Sequence, residues 1–126
     1  MLTIRNLSVA YGSVPALHDV NMRVDSGEFV AIVGPNGAGK TTLFNAVSGV
    51  VDKSSGCIEF EGRDIGSMAA HARAHLRIAH VPEGRQVFPS LSVIENLKMG
   101  AYTAAGRREW GSSLEKIFSW FPVLEE

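Results

Sequence analysis

Residues 34–41 read Gly34-Pro35-Asn36-Gly37-Ala38-Gly39-Lys40-Thr41, and this spacing of glycines ahead of Lys-Thr constrains the chain more than any other stretch. Glycine allows backbone angles that other residues resist, so successive N–H groups can turn inward and form a nest for an anion. The apolar run Phe29-Val30-Ala31-Ile32-Val33 precedes the loop, and Leu43, Phe44 and Val47 follow it. The pattern predicts a buried strand, a loop, and a helix from Lys40 to about Val50 with those three residues on its inner side. In that context the loop is a phosphate site. Gly34, Pro35, Asn36, Gly37, Ala38 and Gly39 wrap the phosphates, and the helix start adds its positive dipole end. Lys40 sets an ammonium against the β- and γ-phosphates. The Thr41 hydroxyl ligates Mg²⁺, and Thr42 offers its N–H and hydroxyl to the α-phosphate. A turn that merely joined strand to helix would have no use for a cation at the helix start, where it opposes the dipole. The expected ligand is ATP with Mg²⁺.

The rest of the chain surrounds this site with mixed elements. Leu2, Ile4, Leu7 and Val9 nearly alternate with polar residues, and Val20, Met22 and Val24 alternate cleanly, predicting two strands. Asp25-Ser26-Gly27 turns the chain. Cys57–Phe60 and Ile78–Val81 read as further strands, with a small helix over 68–75 between them. Ser92 and Glu95 form an S-x-x-E capping box that opens a helix to about Ala101. Trp110, Leu114, Ile117, Phe118 and Phe121 recur at spacings of three and four in a last amphipathic helix stopped by Pro122. A shift in composition near Val81 divides a mixed α/β part, 1–81, from a mainly helical part, 82–126.

Composition narrows the partners. A net charge of −1 supplies no global basic field, so no nucleic-acid partner is expected. Arg73, Arg77 and Arg85 read as a solvated face. His71, His75 and His80 lie close in sequence but lack cysteines or well-spaced acids, which favours solvated helix histidines over a zinc site. Cys57, the single cysteine, reads as a small core residue and leaves no internal disulfide. The start Met1-Leu2-Thr3-Ile4-Arg5 is not a signal peptide. No apolar run approaches the roughly 20 residues that cross a bilayer.

The flanks of the loop carry a family likeness. Leu7, Tyr11-Gly12, Ala16-Leu17, Val20, Gly27-Glu28 and the run from Gly34 to Leu43 resemble the ATP-binding subunit of ABC transporters. A second block, Ile78-Ala79-His80-Val81-Pro82-Glu83-Gly84-Arg85 with Val87-Phe88-Pro89, Leu91-Ser92-Val93 and Glu95-Asn96-Leu97, is similar to the branched-chain amino-acid uptake branch, and within it to the smaller ATPase subunit. The resemblance implies an α/β fold of the P-loop NTPase, ABC ATPase type. The part present would be the amino-terminal β subdomain, the phosphate loop with its helix, and the start of the helical subdomain.

The resemblance also implies roles. Tyr11 stands where the family stacks an aromatic ring on adenine, or else packs on the sheet. Glu83 replaces the usual glutamine that senses Mg²⁺ and water; it contacts metal or water, or is a solvated carboxylate. The loop from Glu83 to Leu91 is where the family docks membrane subunits, with Val87, Phe88, Pro89 and Leu91 either facing that partner or packing inside the helical lobe. A second ATP-binding subunit would complete a dimer at the cytoplasmic face of the membrane. The family's Leu-Ser-Gly-Gly signature, its Mg²⁺ aspartate, its catalytic carboxylate and its switch histidine have no counterpart in these 126 residues. The expectation is therefore an incomplete domain, the first half of a longer protein, that binds nucleotide with little or no turnover. Rival readings are the ATPase of a urea or amide importer, a non-transport ABC protein, and a fragment that binds nucleotide only.

Overall fold

In a computed structural model of the protein, the near-alternating start folds as β1 (Leu2–Tyr11), which turns at Gly12-Ser13 into β2 (Val14–Val24). Strict alternation would send Ile4 and Leu7 to opposite faces, yet both are buried. The reason is a bulge: between the pairs Ile4–Met22 and Leu7–Val20, two residues of β1, Arg5 and Asn6, stand opposite one of β2, Asn21, and Asn6 takes a φ of 48°. The side chain of Asn21 accepts the Asn6 N–H at 2.9 Å, and the Asn6 amide donates to Asp19 at 2.6 Å. The bulge thus has side chains in place of ladder bonds.

β3 (Ser55–Phe60) pairs antiparallel with the other edge of β1, setting Ile58 opposite Ile4, and β4 (Arg63–Asp64) follows it. The strand order is β2-β1-β3-β4. Gly56 sits tight against the bulge, where a Cβ would lie 2.3 Å from the Asn6 carbonyl oxygen. On one face of the sheet lies α1 (Lys40–Ser48), whose Leu43 and Ala46 join Ile4, Leu7, Val9, Leu17, Ile58 and Ile65 in the core. Phe44, expected on the inner side, is exposed, because one residue past Leu43 the helix has turned by about 100°. α2 (Ala70–Ala74) is shorter than its pattern suggested.

Two expected strands do not form. Phe29–Val33 and Ile78–Val81 run without strand pairing, and Phe29, Val33 and Val81 are 94%, 92% and 92% exposed. A strand exists only through hydrogen bonds to a neighbour, and neither segment has a paired strand among the described residues, which are 1–125.

The chain divides into two compact units, Met1–His80 and Val81–Glu126. The second contains α3 (Val93–Gly100), α4 (Ala104–Arg108), α5 (Trp110–Trp120) and a 3₁₀ turn at Pro122–Leu124. The capping box is present: the Ser92 hydroxyl accepts the Glu95 N–H at 3.3 Å, and the Glu95 carboxylate accepts the Ser92 N–H at 2.8 Å. Along α5, Leu114, Ile117 and Phe118 are half-buried, whereas Phe121, placed on the same stripe by its spacing, is exposed just past the helix end. No helix of the described residues is long and apolar enough to cross a membrane.

The capping box makes α3 sensitive to acid. The backbone and hydroxyl hydrogen bonds from Ser92 hold the Glu95 carboxyl below its ordinary value of 4.5. A depressed folded value stabilises the helix start above the unfolded value, and that stabilisation is lost as pH falls through the folded one. We expect faster exchange of the Glu95 amide hydrogen below pH 4.5, after correction for intrinsic rates, with no such change in the Glu95→Gln variant.

Candidate phosphate-binding site

The loop of residues 34–39 leaves the unpaired segment and ends on β2. Its shape follows from its glycines: Gly37 and Gly39 both take φ 84°, in the left-handed region. The Ala38 N–H donates to the Pro35 carbonyl at 3.3 Å, closing a turn inside the loop. Gly39 is also the N-cap of α1, and no side chain caps that end. The first intrahelical bond is from the Leu43 N–H to the Gly39 carbonyl at 2.9 Å. The N–H groups of Lys40, Thr41 and Thr42 therefore have no carbonyl of their own helix to meet, and they stand at its positive end.

Gly39 presses against the strand behind it. A Cβ there would lie 2.6 Å from Leu17 Cδ2 and 2.8 Å from the Ala16 carbonyl oxygen. Ala16 is the extra residue of a second bulge, since Val9 pairs Leu17 while Ala10 pairs Pro15. The bulge thus supports the end of the loop. Nothing in the local pattern of Pro15-Ala16-Leu17 marks it, because a bulge is defined by its partner strand.

Lys40 occupies the first helical turn, where a cation costs about 0.3–1 kcal/mol against the dipole. Its ammonium folds back to donate to the carbonyls of Gly34 at 2.8 Å and Pro35 at 2.7 Å. That arrangement holds a positive charge against the loop, at the end of the helix where an anion is favoured. Thr41 is exposed beside it and Thr42 half-buried. A hydroxyl on the exposed first turn is the hard oxygen donor that Mg²⁺ prefers, so the residues present fit that ion.

The remaining candidate residues fall elsewhere. Tyr11 ends β1 at the hairpin turn, opposite Val14, and is 49% exposed. Glu83 lies in the second unit, exposed in the loop after Pro82, with Gly84 and Arg85 at φ 87° and 49°. In the same loop Val87 and Phe88 are exposed and Leu91 is half-buried. Asn96 fixes this loop from α3: its side-chain oxygen accepts the Phe88 N–H at 2.8 Å, and its amide donates to the Phe88 and Leu91 carbonyls at 3.1 Å each.

Three side chains differ from their sequence reading. Arg73, expected on a solvated face, is 3% exposed and spends its donors on backbone carbonyls. Burial lowers its pKa, and the carboxylates of Asp52 and Asp64 act in the opposite sense. Cys57 is not in the core. It shares the outer sheet face with Glu59 and Arg5, which pair with each other, while Ile58 points inward. Burial raises its thiol pKa, and nearby Asp64 and Glu59 raise it further, so the thiolate is disfavoured. His80, grouped with His71 and His75 by sequence, is paired through Nδ1 with the Ser48 hydroxyl at 2.8 Å.

The chain resembles known proteins over most of its length. The sequence model of the ABC transporter family matches residues 17–125. The chain is 39% identical over all 126 residues to the high-affinity branched-chain amino acid transport ATP-binding protein BraG of Pseudomonas aeruginosa, and covers 54% of that protein. It is 44% identical over 96 residues, 76% of its length, to the lipopolysaccharide export system ATP-binding protein LptB of Escherichia coli, covering 40% of it. Among solved structures, an ATP-binding subunit of an ABC transporter superposes with a TM-score of 0.80 at 29% identity, over 99% of this chain and 51% of that one. The chain thus spans about half the length of the curated relatives it matches.

Proposed function

The chain belongs to the ABC transporter family, and from that premise we propose that it carries the ATP-binding part of an energy-coupling subunit in an importer of branched-chain amino acids. The observation that carries the nucleotide half of this reading is the uncapped start of α1. There the N–H groups of Lys40, Thr41 and Thr42 have no cap, and the Lys40 ammonium lies against a loop that turns at two left-handed glycines. The likeness to BraG over the full chain supports the cargo.

In this reading the residues of the loop have distinct work. The backbone of Gly34, Pro35, Asn36, Gly37, Ala38 and Gly39 encloses the β-phosphate, with the N–H groups supplying the donors. The Lys40 ammonium, now held by the Gly34 and Pro35 carbonyls, turns to the β- and γ-phosphates. Mg²⁺, when bound, neutralises charge shared by those phosphates, and the Thr41 hydroxyl is the group that would hold it. Thr42 reaches the α-phosphate. Tyr11 offers a ring face to adenine, base–aromatic stacking being worth roughly 1–3 kcal/mol. The loop from Glu83 to Leu91, held by Asn96 with Val87 and Phe88 exposed, is the surface for the membrane subunits. A second ATP-binding subunit completes the assembly at the inner membrane face. The local 44% identity to LptB favours a second reading, in which the same ATP-binding part serves an exporter.

Titration calorimetry of this chain with MgATP tests the nucleotide reading. We expect saturable binding that inorganic tripolyphosphate competes away, because the loop recognises phosphate through its backbone. Absence of binding, or binding that tripolyphosphate leaves untouched, would overturn it.

A further inference from the structure

Arg73 is the one buried charged side chain among the described residues, and it has a single environment: the carbonyls around the far end of the phosphate helix. Its NH1 group donates to Ala46 and Val47 at 2.7 Å each, in the last turn of α1. Its Nε donates to Met68 at 2.8 Å, and its NH2 group to Gly66 at 3.3 Å. A guanidinium presents its donors in a rigid planar fork, so these acceptors fix the helix end and the segment at 66–68 in one geometry. That segment is itself anchored. Ile65, fully buried, donates its N–H to the Ile58 carbonyl of β3 at 2.9 Å, and Met68 donates to the Ile65 carbonyl at 2.9 Å.

Space for the guanidinium is provided by Gly49, the C-cap of α1. It takes φ 78°, and a Cβ there would lie 2.7 Å from Arg73 Nε. Electrostatics agree with the geometry: the cation sits at the negative end of the dipole whose positive end carries Lys40, Thr41 and Thr42. We propose that Arg73 is a positioning residue of the phosphate site, fixing α1 along its axis against the sheet so that its N-terminal N–H groups meet the phosphates. The proposal rests on the phosphate-site reading of residues 34–42. α1 is only 9 residues long, so a shift at its C-terminal end is carried to Gly39 with little bending to absorb it.

The test uses the full chain with Arg73→Met, Arg73→Lys and Lys40→Ala. Affinities for MgATP and for magnesium tripolyphosphate are measured well below the melting temperature. Amide resonances of Gly37, Gly39 and Lys40 are recorded without ligand. Arg73→Met is expected to weaken both ligands about tenfold, the scale seen when a partner that orients a binding group is removed. It is also expected to shift the Gly39 and Lys40 amides, more than 20 residues away in sequence. Arg73→Lys, which keeps the charge and part of the donor set, should recover some affinity. If Arg73→Met does not fold, Arg73→Lys carries the test through the same shifts and a smaller loss. Unchanged affinities and amides beside a lowered melting temperature would mean that Arg73 stabilises the fold only, and the proposal would be wrong. Lys40→Ala separates the two readings. If it leaves tripolyphosphate binding intact, the phosphate-site reading itself fails; if it weakens binding while the Arg73 variants do not, only the Arg73 proposal fails.

Discussion

Replacing Lys40 with alanine is expected to weaken MgATP binding by about 10- to 100-fold while leaving the fold in place. The size follows from the charge-assisted hydrogen bonds an ammonium makes to phosphate, worth roughly 1.5–3 kcal/mol, with each ~1.4 kcal/mol a factor of about ten. The fold is spared because the side chain is half-buried and its bonds are to the carbonyls of Gly34 and Pro35, in an exposed loop that water can reach. Removing the cation also relieves its opposition to the α1 dipole, which offsets part of what those two bonds contribute. The measurement is calorimetric affinity paired with a thermal melt. An affinity within a factor of two of wild type would show that phosphate is bound elsewhere or not at all. A melting temperature that collapses would show instead that Lys40 is a structural strut, and that its place in the motif has misled the functional reading.

The loop and the helix start of the candidate site were legible because their parts are local. Glycines at 34, 37 and 39 and the pair Lys40-Thr41 define a backbone conformation and a helix start within eight residues, and every element of that description can be checked against neighbours in sequence. The Ser92–Glu95 box was legible for the same reason. What escaped was relational. Phe29–Val33 has the composition of a central strand, but a strand is a pairing between two segments, and composition states only one of them. The bulges at Asn6 and Ala16 are likewise defined by their partner strands. Without the first, the spacing of Ile4 and Leu7 looked like imperfect alternation; without the second, the seat of Gly39 on β2 could not be seen.

Arg73 escaped for a different reason. An arginine in a short polar helix is normally solvated, and only the carbonyls of Ala46, Val47, Gly66 and Met68, brought together by the fold, make its burial affordable. One signal did point there. Gly49 closes a helix in the left-handed conformation, as a C-cap glycine does. That glycine, however, says nothing of the guanidinium it makes room for.

The second large effect is expected at Gly39, and the comparison with Gly37 isolates its cause. Both residues have φ 84°, so alanine at either meets the same left-handed strain, about 1–2 kcal/mol. At Gly37 a Cβ would find nothing within 4 Å, whereas at Gly39 it would lie 2.6 Å from Leu17 Cδ2 and 2.8 Å from the Ala16 carbonyl oxygen. The Leu17 side chain is buried in the core and the carbonyl belongs to the backbone of β2, so neither yields easily. Overpacking of this kind adds roughly 1–3 kcal/mol. Gly39→Ala should therefore cost about 2–5 kcal/mol in all, a large share of the ~5–15 kcal/mol that holds a typical domain together. If the fold survives, the relief comes by lifting the loop off β2, which moves the Lys40 ammonium and the first N–H groups of α1 away from the phosphates together. MgATP affinity should then fall more in Gly39→Ala than in Gly37→Ala, in step with the larger drop in melting temperature. Equal losses in the two variants would mean that conformational strain alone matters and that the contact between loop and bulge contributes nothing to the site.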